Sequence, residues 1–297
     1  MELLALRNVT KSFGDLCAVS DLTLSIAGGS MYGFLGPNGA GKTTTIRMIM
    51  DIIVPDSGTI EILGEKGSVR VRDRIGYLPE ERGLYRKMKV EELLLFFGQT
   101  KGLRKTEAKS RINDWLGRLD LSDWKDRKVE ELSRGMQQKL QFIATVFHEP
   151  ELIILDEPFT GLDPVNVNLL KEIMLELKEM GTTVVLSTHL MEQVEKLCDS
   201  ICLIHQGQKV LEGPLSQIKR QYGRNSIAIE YEGTAHFLQD TRLVESFDNY
   251  GNYVEVHPAK GVDPHEVLRR AVEDVKVSRF EIVEPSLNEI FIQTVKG

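Results

Sequence analysis

The sequence predicts an α/β protein with a parallel β-sheet covered by helices, an inserted helical block, and a small α+β domain at the C-terminus. Strand-like and helix-like segments alternate between residues 152 and 206, which is typical of parallel, doubly wound sheets. A mostly helical run at 89–147 interrupts this alternation, and the composition changes near 215–225. The predicted domains are 1–220, with its helical subdomain at about 85–148, and 222–297.

Several strands are predicted before the helical block. They are two stretches of alternating apolar and polar residues within 2–26, separated by a turn at Gly14 and Asp15, then a short buried run at 31–35, and runs at 59–63 and 75–78. A glycine-rich loop follows the run at 31–35. The first helix is predicted from about Lys42 to Asp51.

The helical block carries apolar residues at helical spacing, including Ile112, Trp115, Leu116 and Leu119. The elements predicted after it are a strand at 152–155, helices at about 165–180 and 190–198, and strands at 183–187 and 201–206. In the C-terminal domain, strands are predicted at 226–231, 252–258 and 278–285, and helices at 264–275 and 286–295. Ser286 and Glu289 have the spacing of a capping box for the last helix.

Composition places limits on function. The chain has 297 residues, 41% hydrophobic and 27% charged, with a net charge of −7. Such an acidic chain is a poor general binder of nucleic acid, so no nucleic-acid partner is expected. Cys198 and Cys202 could suggest a metal pair, but two small buried apolar side chains are the favoured interpretation. No signal peptide or run long enough to span a bilayer is recognised, so we expect a cytoplasmic protein.

The strongest local pattern is GPNGAGKTT, which follows a predicted strand and opens a helix. It fits the phosphate-binding loop G-x-x-x-x-G-K-[ST]. Glycines allow backbone N–H groups to surround an anion, and the helix directs its positive end at the same phosphates. Lys42 is expected to contact the β- and γ-phosphates, and the Thr43 hydroxyl to bind Mg²⁺. The candidate nucleotide-binding residues of this loop are Gly36, Pro37, Asn38, Gly39, Ala40, Gly41, Lys42, Thr43 and Thr44. A chance glycine turn is the alternative.

A second pattern is LIILDEPFTGLDP, an apolar strand that ends in two acids. In parallel sheets, ligands bind at the carboxyl ends of the strands. Asp156 is therefore expected to hold a metal through water, and Glu157 to act as general base toward the attacking water. An acidic turn without catalytic function is the alternative.

Two weaker patterns complete the candidate site. In LSRGMQQK, Ser133 offers a hydroxyl and a helix N-cap, and Gly135 offers an unhindered N–H group. An ordinary capped surface helix explains this pattern equally well. His189 follows a predicted strand, where a structural role is the alternative to a hydrogen bond with the γ-phosphate or the attacking water.

In this order, the four patterns resemble the ATPase domain of ABC (ATP-binding cassette) transporters over residues 2–220. Within that family, the C-terminal segment and GYLPEERGLY at 76–85 are most similar to ATPases of bacterial ABC-2-type exporters. The resemblance implies a P-loop NTPase fold, in which a parallel core sheet, an antiparallel β-subdomain and the helical subdomain bind ATP and Mg²⁺.

The resemblance also implies roles for three further residues. Phe13 is expected to stack on adenine, with a core Phe as the alternative. Asp163 matches the loop that communicates across the dimer of ATPase domains. Glu80 stands where the family has a glutamine that senses Mg²⁺, and its carboxylate can still bind the metal or water. The signature LSRGM departs from LSGGQ at Arg134 and Met136 but keeps the two residues that would meet phosphate.

The function implied is an ATP-hydrolysing transporter subunit that powers export through a separate integral membrane permease. It would work as a homodimer, or as a heterodimer with a second ATPase subunit, peripheral on the inner face of the cell membrane. ATP would close the dimer and hydrolysis would open it. Two alternatives are a soluble ATPase of the same fold acting on ribosomes or nucleic acid, and a non-catalytic, ATP-gated regulatory module.

Overall fold

The computed structural model describes residues 2–81, 83–222 and 226–296. The chain forms two compact units, Met1–Pro214 and Leu215–Gly297. The composition change had suggested a boundary near residue 220, but the short helix before that point belongs to the second unit. Tyr222, directly after this helix, shares a 2.8 Å hydrogen bond with Thr294 of the same unit.

The predicted elements of the first unit occur in the predicted order, and two further strands, at 65–66 and 208–214, were not predicted. Its strands are β1 (Glu2–Phe13), β2 (Leu16–Ala27), β3 (Met31–Leu35), β4 (Ser57–Ile62), β5 (Glu65–Lys66), β6 (Ile75–Leu78), β7 (Leu152–Asp156), β8 (Thr183–Thr188), β9 (Ser200–His205) and β10 (Gln208–Pro214). Its helices are α1 (Lys42–Ile49), α2 (Val90–Thr100), α3 (Lys105–Arg118), α4 (Arg134–Val146), α5 (Pro164–Glu179) and α6 (Met191–Leu197).

These strands form two kinds of sheet. The order β2-β1-β4-β5 is antiparallel throughout, whereas the core sheet has the order β10-β9-β3-β8-β7-β6. Strands β9, β3, β8, β7 and β6 run parallel, and β10 adds an antiparallel edge. The predicted parallel core sheet and antiparallel β-subdomain are thereby confirmed.

A shared apolar core joins the antiparallel sheet, α1 and the core sheet. It includes Leu6 of β1, Ile46 of α1, Ile154 of β7 and Val185 of β8, each at most 2% exposed. Burying an aliphatic side chain of this size stabilises a fold by roughly 1.5–3 kcal/mol. The core therefore fixes the loop between β3 and α1 against the carboxyl ends of β7 and β8.

Helix α1 is shorter than predicted. It ends at Ile49, and Asp51 adopts a left-handed φ of 54° that no helix continues through. The Asp51 carboxylate instead accepts a 2.8 Å hydrogen bond from the backbone N–H of Ser68. The helix was predicted to continue to Asp51 because the residues just before it, at 48–50, are apolar.

Helix α4 is connected to two loops of the core sheet by buried amide side chains. Gln138 Nε2 donates to the carbonyl oxygen of Pro158 (2.9 Å), just after β7. Gln141 Nε2 donates to the carbonyl oxygens of Pro79 (3.2 Å) and Glu81 (3.5 Å), just after β6. The helical block is thus hydrogen-bonded to the segments that carry the candidate acids.

The second unit is a small α+β domain. Its elements are α7 (Leu215–Gln221), β11 (Ser226–Glu232), β12 (Val244–Asn249), β13 (Tyr253–Pro258), α8 (Pro264–Asp274), β14 (Lys276–Val283) and α9 (Leu287–Lys296). The strands pair antiparallel in the order β12-β13-β11-β14. The predicted capping box is confirmed, since Ser286 N–H donates to Glu289 (2.6 Å) and Glu289 N–H donates to Ser286 Oγ (3.2 Å).

Within the described ranges 2–81, 83–222 and 226–296, none of the helices combines the length and apolar content required to cross a bilayer.

Candidate functional site

The glycine-rich loop lies between β3 and α1, and two of its positions accept only glycine. Gly36 has a φ of 155°, and a Cβ there would approach the carbonyl oxygen of Ile204 to 2.2 Å. Gly41 has a φ of 106°, and a Cβ there would lie 2.4 Å from the carbonyl oxygen of Ala18. The loop can therefore fold this tightly, with its N–H groups available to an anion, only with glycine at both positions.

Lys42 is the first residue of α1 and is 6% exposed. Its ammonium donates to the carbonyl oxygens of Gly36 (2.7 Å) and Pro37 (3.1 Å). Burial lowers the pKa of Lys42, and the nearby carboxylates of Glu157 and Asp156 oppose that shift. A buried cation with incomplete solvation gains most from an added anion, which fits a phosphate-binding role.

Asp156 is the last residue of β7 and is 1% exposed. Its Oδ2 accepts a hydrogen bond from Thr43 Oγ1 (3.0 Å), and its Oδ1 accepts one from Ser187 Oγ (2.7 Å). Burial raises the pKa of the Asp156 carboxyl, while the two hydroxyl donors lower it. The structure thus brings the acid of the second sequence pattern into direct contact with the phosphate loop.

Glu157 leaves the strand with a left-handed φ of 49°, which turns its side chain toward the end of β8. Its Oε1 accepts a hydrogen bond from the backbone N–H of His189 (3.0 Å) and lies 2.7 Å from His189 Nδ1. Its Oε2 accepts a hydrogen bond from Thr188 Oγ1 (3.0 Å). His189 therefore lies beside the candidate base, a contact that the sequence analysis did not predict.

A cavity of about 760 Å³ opens beside the phosphate loop. Its lining residues are Phe13, Leu16, Cys17, Ala18, Asn38, Gly39, Gly41, Lys42, Thr43, Thr44, Glu80, Asp156, Glu157, Gln206 and Gly207. The volume is that of a typical ligand pocket. Its walls combine an apolar end at 13–18 with a polar end at the acids.

Phe13 ends β1 and is 49% exposed, so it is not the core residue that the alternative required. Lys11 Nζ lies 5.5 Å from the centroid of its ring. An accessible aromatic face at the mouth of a cavity can stack on a planar base. Glu80 lines the same cavity, near the two acids.

Seven predicted site residues are not among those that line this cavity. They are Gly36, Pro37 and Ala40 of the glycine-rich loop, His189 beside Glu157, and Ser133, Gly135 and Asp163. Ser133 caps α4 by accepting from the backbone N–H of Met136 (3.3 Å), and Gly135 is the second residue of that helix. Asp163 caps α5 by accepting from the backbone N–H groups of Val165 and Asn166, both at 3.0 Å. Within one chain, these last three residues have local structural roles.

The sequence analysis missed two hydroxyl residues at the end of β8. Ser187 and Thr188 are both fully buried, and each donates to one of the two candidate acids. A usable signal was present, because two consecutive hydroxyl residues follow the apolar run 184–186 at the carboxyl end of a predicted strand, where ligands bind in parallel sheets.

The residues around Asp156 offer oxygen donors of the kind that Mg²⁺ binds. Among the residues that the structure describes, no group of three or more His, Cys, Asp or Glu side chains could hold a metal. Mg²⁺, however, binds through one or two carboxylates together with phosphates and water, rather than in an all-protein cage. The hydroxyl of Thr43 and the carboxylates of Asp156 and Glu80 are hard oxygen donors, so the donor set fits Mg²⁺.

The fold and the phosphate loop define a P-loop ATPase. The family model for ABC transporters matches residues 19–160. A second model, described as the ATP-binding protein DrrA1-3-like C-terminal domain, matches residues 213–295. The chain belongs to the ATP-binding proteins of ABC transporters, and it is an ATP-hydrolysing transport subunit.

Similar proteins agree with this assignment. The chain is 43% identical to the uncharacterized ABC transporter ATP-binding protein YhaQ of Bacillus subtilis, over 99% of this chain and 98% of that protein. It is 40% identical to the Nod factor export ATP-binding protein I of Burkholderia lata, over 75% of each chain. A solved ATP-binding subunit of an ABC transporter superposes with a TM-score of 0.70 at 34% identity, covering 74% of this chain and 93% of that one.

ATP-binding subunits of this family work with membrane permease partners, generally as dimers. The relatives are transport ATPases, so an action on ribosomes or nucleic acid is not favoured. A non-catalytic regulatory module is likewise not favoured, because the family consists of ATP-hydrolysing subunits.

Proposed function

We propose that this chain hydrolyses Mg-ATP at the cavity beside the phosphate loop and that hydrolysis drives export through a separate membrane subunit. The observation that carries the proposal is the 3.0 Å hydrogen bond from Thr43 to Asp156. It joins the phosphate loop to the acid at the end of β7. A triphosphate on this loop would therefore lie beside both acids.

Each residue of the site has a distinct task. Thr43, Asp156 and Glu80 would hold Mg²⁺, which when bound neutralises phosphate charge. Lys42 would contact the β- and γ-phosphates in place of its present carbonyl partners. The other loop residues, 36–41 and 44, would surround the phosphates with backbone N–H groups, and Phe13 would stack on the base.

Glu157 would accept a proton from the attacking water as general base, a contribution of roughly 10²–10⁴-fold in rate. The contact between its Oε1 and His189 Nδ1 supports a shared task for the two side chains. His189 would orient the water or the γ-phosphate while its backbone N–H holds the carboxylate. The Glu157 side chain is about 10% exposed and lines the cavity beside the phosphate loop.

The positions of Ser133, Gly135 and Asp163 support a dimer. None of them lines the cavity of its own chain, so Ser133 and Gly135 would contact the γ-phosphate held by a second ATPase subunit. That subunit is either a second copy of this chain or a related protein. ATP would then complete the interface, and hydrolysis would release it as a shift between closed and open pairs. Asp163, which caps α5, would communicate across the same interface.

An exposed aromatic cluster supports the docking of an integral membrane permease. Tyr85 is 55% and Phe96 is 42% exposed, and their ring centroids lie 5.7 Å apart. Phe97 completes the cluster, which lies just beyond the Glu80 loop. Exposed aromatic groups of this kind mark interaction surfaces. Docking there would place the chain at the inner face of the membrane, and the likeness to a Nod factor export protein favours export.

The test compares Glu157→Gln with the native chain. We expect the variant to bind Mg-ATP with native affinity, to lose nearly all hydrolysis, and to accumulate as an ATP-dependent dimer in light scattering. Glu192→Gln, the same chemical change in an exposed pair on α6, serves as the matched control and keeps native activity. Removal of Mg²⁺ with a chelator is expected to stop hydrolysis by the native chain.

Hydrolysis at the native rate by Glu157→Gln would remove this residue from the role of base. Absence of Mg-ATP binding by the native chain would refute the whole proposal.

A further inference from the structure

The two acids of the site are each held by a different residue of one dipeptide at the end of β8. Asp156 lies opposite Ser187 in the β7–β8 ladder, and Ser187 Oγ donates to Asp156 Oδ1 at 2.7 Å. Glu157 turns away from the strand, and Thr188 Oγ1 donates to its Oε2 at 3.0 Å. Both hydroxyl residues are 0% exposed, so water cannot replace either donor without a rearrangement.

Each hydroxyl binds one oxygen of its carboxylate, so the second carboxylate oxygen is free to contact a different group. With Oδ1 bound to Ser187, the Oδ2 atom of Asp156 faces the Thr43 hydroxyl. With Oε2 bound to Thr188, the Oε1 atom of Glu157 lies at His189. The dipeptide thereby fixes which carboxylate oxygen is directed at the metal-binding hydroxyl and which at the histidine.

Thr188 is itself oriented by a second hydrogen bond. Its Oγ1 accepts from the backbone N–H of Leu190 at 3.1 Å, so the hydroxyl proton is left to point at Glu157. A hydroxyl that accepts one bond and donates another holds a carboxylate more rigidly than a freely rotating one. This fixed geometry is what a general base requires, because small errors in position cost large factors in rate.

We infer that Ser187 and Thr188 are positioning residues with separate tasks, Ser187 for the metal-binding Asp156 and Thr188 for the base Glu157. The inference rests on the proposed roles of those two acids. Neither hydroxyl lines the ATP cavity, so both act through the carboxylates rather than on the substrate.

Thr188→Val removes the hydroxyl at nearly constant volume. We expect kcat to fall roughly 10-fold to 100-fold, the range expected for loss of a hydrogen bond to a charged group, while the KM for Mg-ATP changes less than about twofold. Thr188→Ser keeps the hydroxyl and is expected to restore most of the native kcat. If Thr188→Val does not fold, Thr188→Ala also removes the hydroxyl, with a smaller side chain, and its kcat and KM are compared with the native values in the same way.

Ser187→Ala is expected to act on metal binding instead. In a binding assay with a fluorescent ATP analogue, the Mg²⁺ concentration that gives half-maximal binding is expected to rise several-fold. Thr188→Val in the same assay is expected to leave it unchanged. This readout does not depend on hydrolysis.

Combining Thr188→Val with Glu157→Gln distinguishes the positioning role of Thr188 from the proposed role of Glu157 as base. In the Glu157→Gln background, Thr188→Val is expected to cause no further loss of hydrolysis, because the base is already absent. A native kcat for Thr188→Val and Thr188→Ala, a failure of Thr188→Ser to restore activity, or a full further loss in the Glu157→Gln background would overturn the role of Thr188. Native hydrolysis by Glu157→Gln alone would instead refute the proposed base.

Discussion

Gly33, in the middle of β3, provides a direct test of how tightly the core sheet packs on α6. A Cβ at this position would lie 2.5 Å from Val194 Cγ1 and 3.2 Å from both Cys198 Sγ and Ile201 Cγ2. Val194 is fully buried and β-branched, so its methyl group has little freedom to move away. Gly33→Ala therefore forces α6, or the loop of His189 before it, to shift.

Overpacking of this kind destabilises a protein by about 1–3 kcal/mol. For a cooperative unit of 150–250 residues, each kcal/mol lowers the melting temperature by roughly 2–4 °C. The first unit spans Met1–Pro214, which is within that size range. Gly33→Ala is therefore expected to lower the melting temperature of this unit by roughly 2–12 °C, measured by circular dichroism on the full chain.

A double-mutant cycle tests whether contact with Val194 causes the destabilisation by Gly33→Ala. Val194→Ala alone removes two buried methyl groups and costs about 2 kcal/mol, but it also removes the atom that an alanine at position 33 would meet. The double variant is therefore expected to be more stable than the sum of the two single changes by about 1 kcal/mol or more. Gly117→Ala is the matched control, because the nearest atom to its Cβ is Ser122 Oγ at 3.9 Å.

Gly117 is an exposed helical glycine, so the same substitution there is expected to stabilise by about 0.5–1 kcal/mol. A melting temperature of Gly33→Ala at or above the native value would show that position 33 has room for a methyl group. Simple addition of the destabilisation energies of Gly33→Ala and Val194→Ala would show that the two side chains do not clash.

Three further predictions concern pH, capping and the signature. Burial lowers the pKa of His148 from 6.5 to about 4, so the unfolded chain binds more protons between those values and stability falls as pH decreases through that window. At pH 5 this lowers the free energy of unfolding by about 2 kcal/mol. Denaturant unfolding of His148→Gln is expected to show no such decrease between pH 7 and pH 5. Hydrogen bonds from the backbone and side chain of Asn166 lower the pKa of Asp163, so Asp163→Ala is expected to melt below the native protein at pH 7, with the difference vanishing as pH falls below about 4. Arg134 is exposed at the start of α4, and Arg134→Ala is expected to keep ATP affinity and hydrolysis within about twofold; abolished hydrolysis with unchanged affinity would contradict this.

The short buried strands were the most predictable part of the fold. The sequence placed β3 at 31–35 and β6 at 75–78, and the structure has the same limits. Both are continuous apolar runs that glycine or proline terminates, so the local signal matches the tertiary environment. Strand β12 was missed because its sequence, VESFDN, does not alternate and only Val244 is buried. Its extended conformation comes from pairing with β13, which no local pattern encodes.

In the candidate site as well, features with a local sequence signal were predictable and features that depend on tertiary contacts were not. Glycine spacing predicted the phosphate loop, and the place of the two acids at the carboxyl end of a strand predicted that they would lie at the ligand-binding edge of the sheet. The contact of Glu157 with His189 could not be predicted, because it depends on the left-handed turn at Glu157. Periodicity gives the face of a strand on which a residue lies, but not the direction that a side chain takes after the strand has ended.

The buried amides of α4 have a consequence for chimeric proteins. Gln138 and Gln141 satisfy carbonyl oxygens at Pro158 and Pro79, which belong to segments distant in sequence from the helix. A helical block taken from a relative without these glutamines would leave those carbonyls without donors, and each loss costs about 1–3 kcal/mol. Exchange of residues 85–148 with such a relative is therefore expected to destabilise the first unit, and a graft that also carries its own versions of the loops after β6 and β7 is expected to avoid this loss.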